Sequence, residues 1–298
     1  KVWTSGGQVA DLGMLLARTD ADVPKHQGIS YFALDMHQPA VEVRPLREMT
    51  GRALFNEVFI SEARVNDDAL IGGRNNGWAV ANTTLAFERA GLGAGGGSAA
   101  GGAASPGTVA GDLGKRVGDF VSGAGRQGGG GGGGGMAGMF GGAQTLLVEL
   151  AKGAGKIKDA SVRQDLMRLH TLNEIARFTN LRQRGMRGTS GDIPGLGNIA
   201  KLSMSNILRL TRDLGLRILG AHGTLHAYTA EQRKELDAAG ANPFAGMVTE
   251  LSLFAQGPAI YGGTDQIQRN IIGERVLGLP KEPSNDRTLP FRDLPKNG

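Results

Sequence analysis

The spacing of hydrophobic residues along the chain changes from that of strands to that of helices in the segment 72–77. Before it, residues 41–44 and 54–60 alternate apolar and polar side chains, which is the pattern of half-buried strands. After it, residues 159–187 and 199–219 carry apolar side chains at helical spacing. This order predicts an α+β fold, in which a partial antiparallel β domain is followed by a C-terminal helical bundle.

Shorter patterns complete this outline. Further strands are predicted at 12–19 and 28–35, and further helices from Trp78 and at 144–152, 248–255 and 265–277. The predicted domains are a β domain at 1–75, a helical bundle at 76–282 and a polar tail at 283–298. Because the chain begins at Lys1, inside what reads as the end of a strand, we expect it to be the downstream part of a longer protein.

Glycine is distributed unevenly along the chain. The sequence holds 50 glycines, and residues 91–142 form a low-complexity insert that contains an unbroken run of eight, 128–135. Such a run is expected to be a flexible coil, because ordering it would cost too much backbone entropy. Within the insert, residues 109–120 are compatible with a short amphipathic helix.

Composition excludes several classes of site. The absence of cysteine excludes disulfides, thiolate zinc sites and cysteine nucleophiles. The five histidines show no HExxH spacing, and His222 and His226, four apart, have no carboxylate placed to complete a site, so no metal is expected. The net charge of +5 is compatible with an acidic cofactor, but no basic cluster predicts a nucleic-acid partner. No apolar run is long enough for a membrane span, and a cytoplasmic location is expected.

A glycine-rich turn at 259–264 precedes the last predicted helix. Gly262 and Gly263 meet Thr264, after which the helix opens with Asp265 and Gln266. Glycine lets main-chain amides approach a ligand closely, and the helix start offers unpaired N–H groups and a partial positive charge. The pattern fits a ligand-binding turn and, equally, a tight corner between two helices.

An ordered set of motifs resembles the acyl-CoA dehydrogenase flavoprotein family. The motifs lie at 1–6, 41–46, 55–59, 70–78, 217–223 and 260–269, together with Leu85-Ala86-Phe87-Glu88-Arg89. The family fold is a helical domain, a β domain and a four-helix bundle, of which this chain resembles the C-terminal part of the β domain plus the bundle. The resemblance implies FAD as cofactor and an acyl-CoA as substrate, in an oxidation step of lipid metabolism.

The resemblance also implies a mechanism. Such enzymes remove a proton from Cα of the thioester while Cβ gives a hydride to flavin N5, which leaves a trans-2-enoyl-CoA. In many members the base is a Glu directly after the tyrosine of the turn, but here that position is Gly262. The isovaleryl-CoA and long-chain branches carry the base on the first bundle helix before an Arg, which matches Glu88 and Arg89. Glu88 is therefore the candidate base, and its alternative is a solvated helix glutamate.

The other site residues follow from the same resemblance. The N–H of Gly262 matches the donor to the thioester oxygen, and Arg89 matches a position facing CoA. The expected FAD contacts are Trp3, Ser5, Thr264 and Gln266, with Arg217, Gly220 and Ala221 on a segment that meets the FAD of a neighbouring subunit. Trp3 could instead be β-domain core. A phosphate-binding Arg-x-x-Phe-Gly motif of the family is replaced by the glycine-rich insert, where Lys115, Arg116 and Arg126 are weak substitutes.

The resemblance implies partners and leaves two rival functions open. The expected electron acceptor is an electron-transferring flavoprotein, and the expected assembly is a homo-dimer or tetramer built on the bundle. One rival is a related flavoprotein of the DNA-binding alkylation-response type, for which the arginines between Arg163 and Arg187 are the only candidate surface. The other is a non-catalytic subunit of a heteromeric dehydrogenase.

Overall fold

The computed structural model describes residues 1–93, 143–185, 195–284 and 286–295, without the side chains at 86–93, 143, 183 and 184. Its contacts divide the chain into two compact units. The first comprises Lys1–Glu48, Ala53–Ala90 and Pro280–Gly298, and the second comprises Met49–Arg52 and Gly91–Leu279. The domain boundaries inferred from the sequence, 1–75, 76–282 and 283–298, remain predictions.

The first unit holds two small antiparallel sheets. Its strands are β1 (Thr4–Ser5), β2 (Leu12–Arg18), β3 (Ile29–Asp35), β4 (Val41–Leu46), β5 (Phe55–Ile60) and β6 (Leu70–Ile71). One sheet has the order β1-β5-β4 and the other β2-β3-β6. In the first sheet Val43 lies opposite Val58, and in the second Leu15 lies opposite Phe32.

The alternation of apolar and polar residues in the sequence matches the buried and exposed faces of these strands. Val41 and Val43 pack against a core formed by Leu34, Met36 and Val58. Between the two valines, Glu42 is exposed and accepts a hydrogen bond from Arg44 Nε at 2.7 Å. Burial of alternate side chains is the main stabilising contribution to such strands.

Helix α1 (Gly77–Gly93) begins against β3. A Cβ atom on Gly77 would lie 2.4 Å from the carbonyl carbon of Ser30, so only glycine allows this approach. At the next residue of α1, the ring of Trp78 stacks on His26 with 4.1 Å between ring centroids. The helix start is thereby fixed to the sheet of the first unit.

The second unit is helical. Its helices are α2 (Ala143–Gly153), α3 (Ala160–Gly185), α4 (Leu196–Leu219), α5 (Ala230–Ala238), α6 (Ala245–Phe254) and α7 (Asp265–Arg275). The core joins Leu150 of α2, Leu169 of α3, Leu214 and Ile218 of α4 and Val248 of α6. The periodic segments at 144–152, 159–187 and 199–219 correspond to α2, α3 and α4, and the α+β fold class is confirmed.

Helix α5 was not predicted from the sequence. It buries none of its residues, so it carries no apolar stripe that a period search could detect. Its local signal is the N-cap Thr229, whose Oγ1 accepts a hydrogen bond from the N–H of Gln232 at 3.2 Å.

Part of the segment predicted as a tail contacts the first unit. The N–H groups of Phe291 and Arg292 donate to the carbonyls of Val23 and Ala21 at 3.0 and 3.1 Å. The guanidinium of Arg18 lies over the ring of Phe291, 3.4 Å from its centroid. None of the helices in the described ranges is both long enough and apolar enough to cross a membrane.

Candidate functional site

The turn before α7 has the backbone that its glycines predict. Gly262 and Gly263 have φ of 64° and 82°, a left-handed region that side chains with a Cβ rarely adopt. The N–H of Tyr261 donates to the carbonyl of Gly257 at 3.0 Å, which fixes the Ile260–Tyr261 peptide. The N–H of Gly262 itself donates no hydrogen bond to any described residue, and it is therefore available to an acceptor on a ligand.

The start of α7 continues this donor surface. Thr264 is the N-cap, and its Oγ1 accepts a hydrogen bond from the N–H of Ile267 at 3.1 Å. The N–H groups of Asp265 and Gln266, at the first two helical positions, have no acceptor within the helix. The side chain of Gln266 is exposed. Together these groups suit a phosphate or another anion, because the helix dipole adds a partial positive charge there.

Asp265 is the buried charge beneath the turn. Its side chain is only 4% exposed, and its carboxylate lies 2.9 Å from Nζ of Lys201, also 4% exposed, and 3.0 Å from Arg209. Desolvation acts to raise the pKa of Asp265, but the hydrogen bonds from Lys201 and Ser205 and the charges of Lys201 and Arg209 outweigh it and lower the pKa. The carboxylate is held ionised, and it ties the start of α7 to α4.

The segment Arg217–Ala221 lies at the end of α4. The exposed guanidinium of Arg217 pairs with Asp165, and its carbonyl accepts a hydrogen bond from Nζ of Lys156 at 2.8 Å. Gly220 has φ of 58°, and the nearest neighbour of a Cβ built there would be Lys156 Nζ at 3.8 Å. Gly220 and Ala221 are both exposed, so a ligand can approach this backbone closely.

The two predicted FAD-contacting segments of the second unit lie apart on one chain. Ser205 Oγ donates to the carbonyl of Pro258 at 3.0 Å, so this part of α4 adjoins the chain that leads into the turn. Arg217 lies twelve residues further along α4, roughly 18 Å at 1.5 Å per residue. A single copy therefore does not bring Arg217–Ala221 to the turn at Gly262.

Trp3 and Ser5 lie at the start of the first unit. The side chain of Trp3 is 64% exposed and touches Phe55 edge to face, with ring centroids 5.8 Å apart. Ser5 is exposed and pairs with Phe55 in the β1–β5 ladder. Trp3 is thus not a core residue within the described part of the chain, and its ring has a free face.

The candidate base has its backbone in α1. Glu88 and Arg89 both fall in this helix, but their side chains lie outside the described residues. Lys115, Arg116 and Arg126 lie wholly outside them. No group of three or more His, Asp or Glu side chains that could hold a metal occurs among the residues that the structure describes.

The described arginines of α3 are mostly exposed. Arg177 donates to the carboxylate of Glu174 at 2.6 Å and covers the ring of Phe178 at 4.2 Å from its centroid. Arg163, Arg168 and Arg182 are exposed, and Arg187 and the side chain of Arg184 lie outside the described residues. The nucleic-acid alternative stays a prediction.

Sequence comparison now decides the family. Residues 133–277 match the family model described as "Acyl-CoA dehydrogenase, C-terminal domain". Acyl-CoA dehydrogenase IpdE1 of Mycobacterium tuberculosis is 31% identical over 282 residues, which cover 95% of this chain and 59% of IpdE1. Over residues 133–277 the chain belongs to the acyl-CoA dehydrogenase family. A second relative, acyl-CoA dehydrogenase FadE34 of the same organism, is 54% identical over 95 residues, which are 32% of this chain and 13% of FadE34.

Solved structures of acyl-CoA dehydrogenases share the fold. The structure titled "Tcur3481-Tcur3483 steroid ACAD" has a TM-score of 0.69 at 22% identity over 95% of this chain and 60% of its own. The ChsE4-ChsE5 complex from Mycobacterium tuberculosis has a TM-score of 0.66 at 23% identity over 94% and 60%. This acyl-CoA dehydrogenase family member spans 59% and 57% of the length of the IpdE1 relatives that it matches.

FAD is the cofactor of the family, and the described residues fit parts of it. The free face of the Trp3 ring suits an aromatic ring system, and the open backbone at Gly220 suits close approach of a phosphate. The unpaired N–H groups at the start of α7 suit a phosphate or a ribityl oxygen. The carboxylate of Asp265 does not disturb this fit, because Lys201 and Arg209 neutralise it.

Proposed function

We propose that the protein containing this chain oxidises an acyl-CoA thioester to the trans-2-enoyl-CoA. The observation that carries the proposal is the turn at Gly262, whose N–H, the match to the family's donor, has no hydrogen-bond acceptor among the described residues. The family match over most of the bundle supports the same reaction. FAD, when bound, supplies the acceptor for the hydride that leaves Cβ.

Residues of the chain itself remove the proton, stabilise the developing charge and bind the substrate and cofactor. Gly262 N–H donates to the thioester oxygen, which stabilises the negative charge that develops there when the α proton leaves. Glu88 takes that proton from Cα, and enclosure beside a bound acyl chain would raise its pKa toward the working pH. Arg89 binds the CoA portion of the substrate. Thr264 and Gln266 bind the phosphate and the adenine of FAD, and Trp3 and Ser5 lie against the flavin.

The assembly completes the cofactor site in this proposal. Arg217, Gly220 and Ala221 contact the FAD of a neighbouring subunit, since the chain holds them roughly 18 Å along α4 from the region of its own turn. This requires a homo-dimer or tetramer. The ChsE4-ChsE5 complex is a two-chain assembly with the same fold, so a heteromer with a second chain type is the alternative assembly. An electron-transferring flavoprotein is the proposed acceptor of the electrons.

The test of the base is the Glu88→Gln variant of the full-length holoenzyme, mixed anaerobically with an acyl-CoA. Loss of a general base lowers the rate by about 10²–10⁴-fold, so flavin bleaching should slow by at least about 100-fold. Glu235→Gln is the matched control, because it makes the same charge change on the exposed surface of α5. Bleaching at the wild-type rate in Glu88→Gln would remove Glu88 as the base.

A further inference from the structure

Gln268 is a buried amide directly behind the turn at Gly262. Its side chain is 2% exposed, and its Nε2 donates to the carbonyl of Gly262 at 2.8 Å and to that of Gly263 at 3.5 Å. Its Oε1 accepts a hydrogen bond from Nδ2 of Asn198 on α4 at 2.5 Å. A buried amide is retained at such a position only when its donors and acceptor are paired, as they are here.

The two glycine carbonyls, which can only accept, determine which end of the Gln268 amide faces the turn, and Asn198 pairs with the other end. The Nε2 end is therefore directed at these carbonyls, and Oε1 accepts from Asn198. A rotated amide would set oxygen against oxygen at Gly262 and nitrogen against nitrogen at Asn198. The pair therefore has one favourable arrangement, and that arrangement holds the turn from the side of α4.

Two hydrogen bonds fix the two peptides that flank the Tyr261–Gly262 peptide, which carries the Gly262 N–H. The Tyr261 N–H is bound to the carbonyl of Gly257 at 3.0 Å, and the Gly262 carbonyl is bound to Gln268. Between them Gly262 has no Cβ and has φ of 64°, so no side chain restricts its rotation. These two bonds decide the direction in which the free N–H of Gly262 points.

We propose that Gln268, paired with Asn198, is a positioning residue that aims the Gly262 N–H at the thioester oxygen of the substrate. The inference rests on the proposed function, because it assigns a support to the donor used there. A donor stabilises a developing oxyanion only at about 2.7–3.1 Å from it, and a displacement of about 1 Å can cost roughly 100-fold in rate. A neutral amide also suits the place, because a carboxylate there would oppose the negative charge developing on the thioester oxygen.

The test compares Gln268→Met and Gln268→Glu in the full-length holoenzyme. Met preserves the length and burial of the side chain but makes neither hydrogen bond, and Glu adds an acceptor and a charge opposite the Gly262 carbonyl. We expect kcat to fall about 10- to 100-fold in Gln268→Met and further in Gln268→Glu, with the dissociation constant of the acyl-CoA changed less than about threefold. Thr211→Val is the matched control, because Thr211 is buried in α4 and bonds only its own helix, through the carbonyl of Ile207.

Two further readouts separate positioning from general loss of structure. The first readout is the infrared carbonyl band of an isotope-labelled acyl-CoA bound to each variant. In Gln268→Met this band should move toward the frequency of a carbonyl that accepts no hydrogen bond, and in Thr211→Val it should stay unchanged. Hydrogen exchange of the peptide that spans the turn should accelerate in the free Gln268→Met protein, with no flavin or substrate needed. If Gln268→Met does not fold, Asn198→Ala provides the same test, because it removes the partner of the amide oxygen and should give an intermediate loss of kcat.

The outcomes distinguish this inference from the proposed function. A wild-type holoenzyme whose flavin no acyl-CoA reduces contradicts the proposed function, whatever the variants do. A wild-type enzyme that turns over while Gln268→Met keeps its kcat and its carbonyl band overturns the positioning role alone. A loss of kcat that is equal in Gln268→Met and Thr211→Val overturns it as well, since the effect would then not depend on the turn.

Discussion

At the scale of single residues, Asp265 shows how the turn is anchored from below. Its carboxylate is removed from water together with Lys201, and Arg209 adds a second positive charge at 3.0 Å. Burying such a pair contributes little net stability, but removing one partner leaves an uncompensated charge in the interior. The ion pair thus fixes the position of the α7 start, and removal of either partner would strongly destabilise the fold.

The Asp265→Asn variant is expected to lower the free energy of unfolding by about 3–5 kcal/mol at neutral pH, because Lys201 is then buried without its counter-charge. Denaturant titration measures this loss. The control is Asp213→Asn, since Asp213 pairs with Arg212 at the surface of α4 and should contribute less than about 1 kcal/mol.

The pH dependence follows from the lowered pKa of Asp265 in the folded state. The contribution of an acid with a lowered pKa is present above its unfolded pKa of about 3.9 and is lost as the pH falls through the folded value. The unfolding free energy should therefore decrease on acidification below about pH 4, and the Asn variant should lack that part of the slope. Parallel pH profiles for both proteins would contradict the assignment.

Residue-level predictions from the sequence succeeded where the signal was local. The pattern at Gly262 and Gly263 predicted a turn, and both residues have positive φ. Gln268, Asn198 and Lys201 were not identified, because their contacts join α4 to α7 across more than sixty positions and leave no spacing pattern in the chain. Glu88 could be singled out only through the family resemblance.

At the scale of elements, capping residues can indicate the start of a helix that has no hydrophobic periodicity. Helices α3 and α4 were predicted to within a few residues, since each has apolar residues at helical spacing. In α3 only Val162, Leu166 and Leu169 of these pack into the bundle core, and Ile175 and Leu181 are exposed. Helix α5 lacks such a pattern, but it begins at a threonine cap, as α7 does. The same cap chemistry occurs at α5, to which no cofactor contact is assigned, and at α7, to which one is assigned.

This repetition gives a matched pair of variants, Thr264→Ala and Thr229→Ala. Each removes one cap hydrogen bond and should lower stability by about 1 kcal/mol. Only Thr264→Ala should also weaken FAD binding, by about 10-fold, since a hydrogen bond to a charged group contributes roughly 1.5–3 kcal/mol. Titration of the flavin-free proteins with FAD measures the difference. Equal affinities in the two variants would exclude Thr264 as a contact to the cofactor.

At the scale of the whole chain, the first unit contains residues from both ends of the sequence. The segment that contains Phe291 returns to β2 and to the loop after it, through two main-chain hydrogen bonds and the contact with Arg18. Lys25 adds an ion pair with Asp286 at 2.5 Å. The sequence could not predict this docking, because a short polar segment after two prolines has no hydrophobic period of its own.

A double-mutant cycle of Arg18→Ala and Phe291→Ala should give a coupling free energy of about 0.5–2 kcal/mol for the cation–π contact. Each single variant should also speed hydrogen exchange in 286–295. The reference cycle is Arg44→Ala with Phe59→Ala, whose ring contact at 4.4 Å is more distant and bridges neighbouring strands. Zero coupling for the first pair would show that the main-chain bonds alone hold the segment.

The separation between Arg217–Ala221 and the turn at Gly262 has a thermodynamic consequence. If one flavin needs both segments, it is held by two copies of the chain at once, and cofactor retention and self-association become one linked equilibrium. Dilution would then release flavin even when no residue at either segment has changed. The apparent affinity for FAD would be a property of protein concentration as much as of sequence.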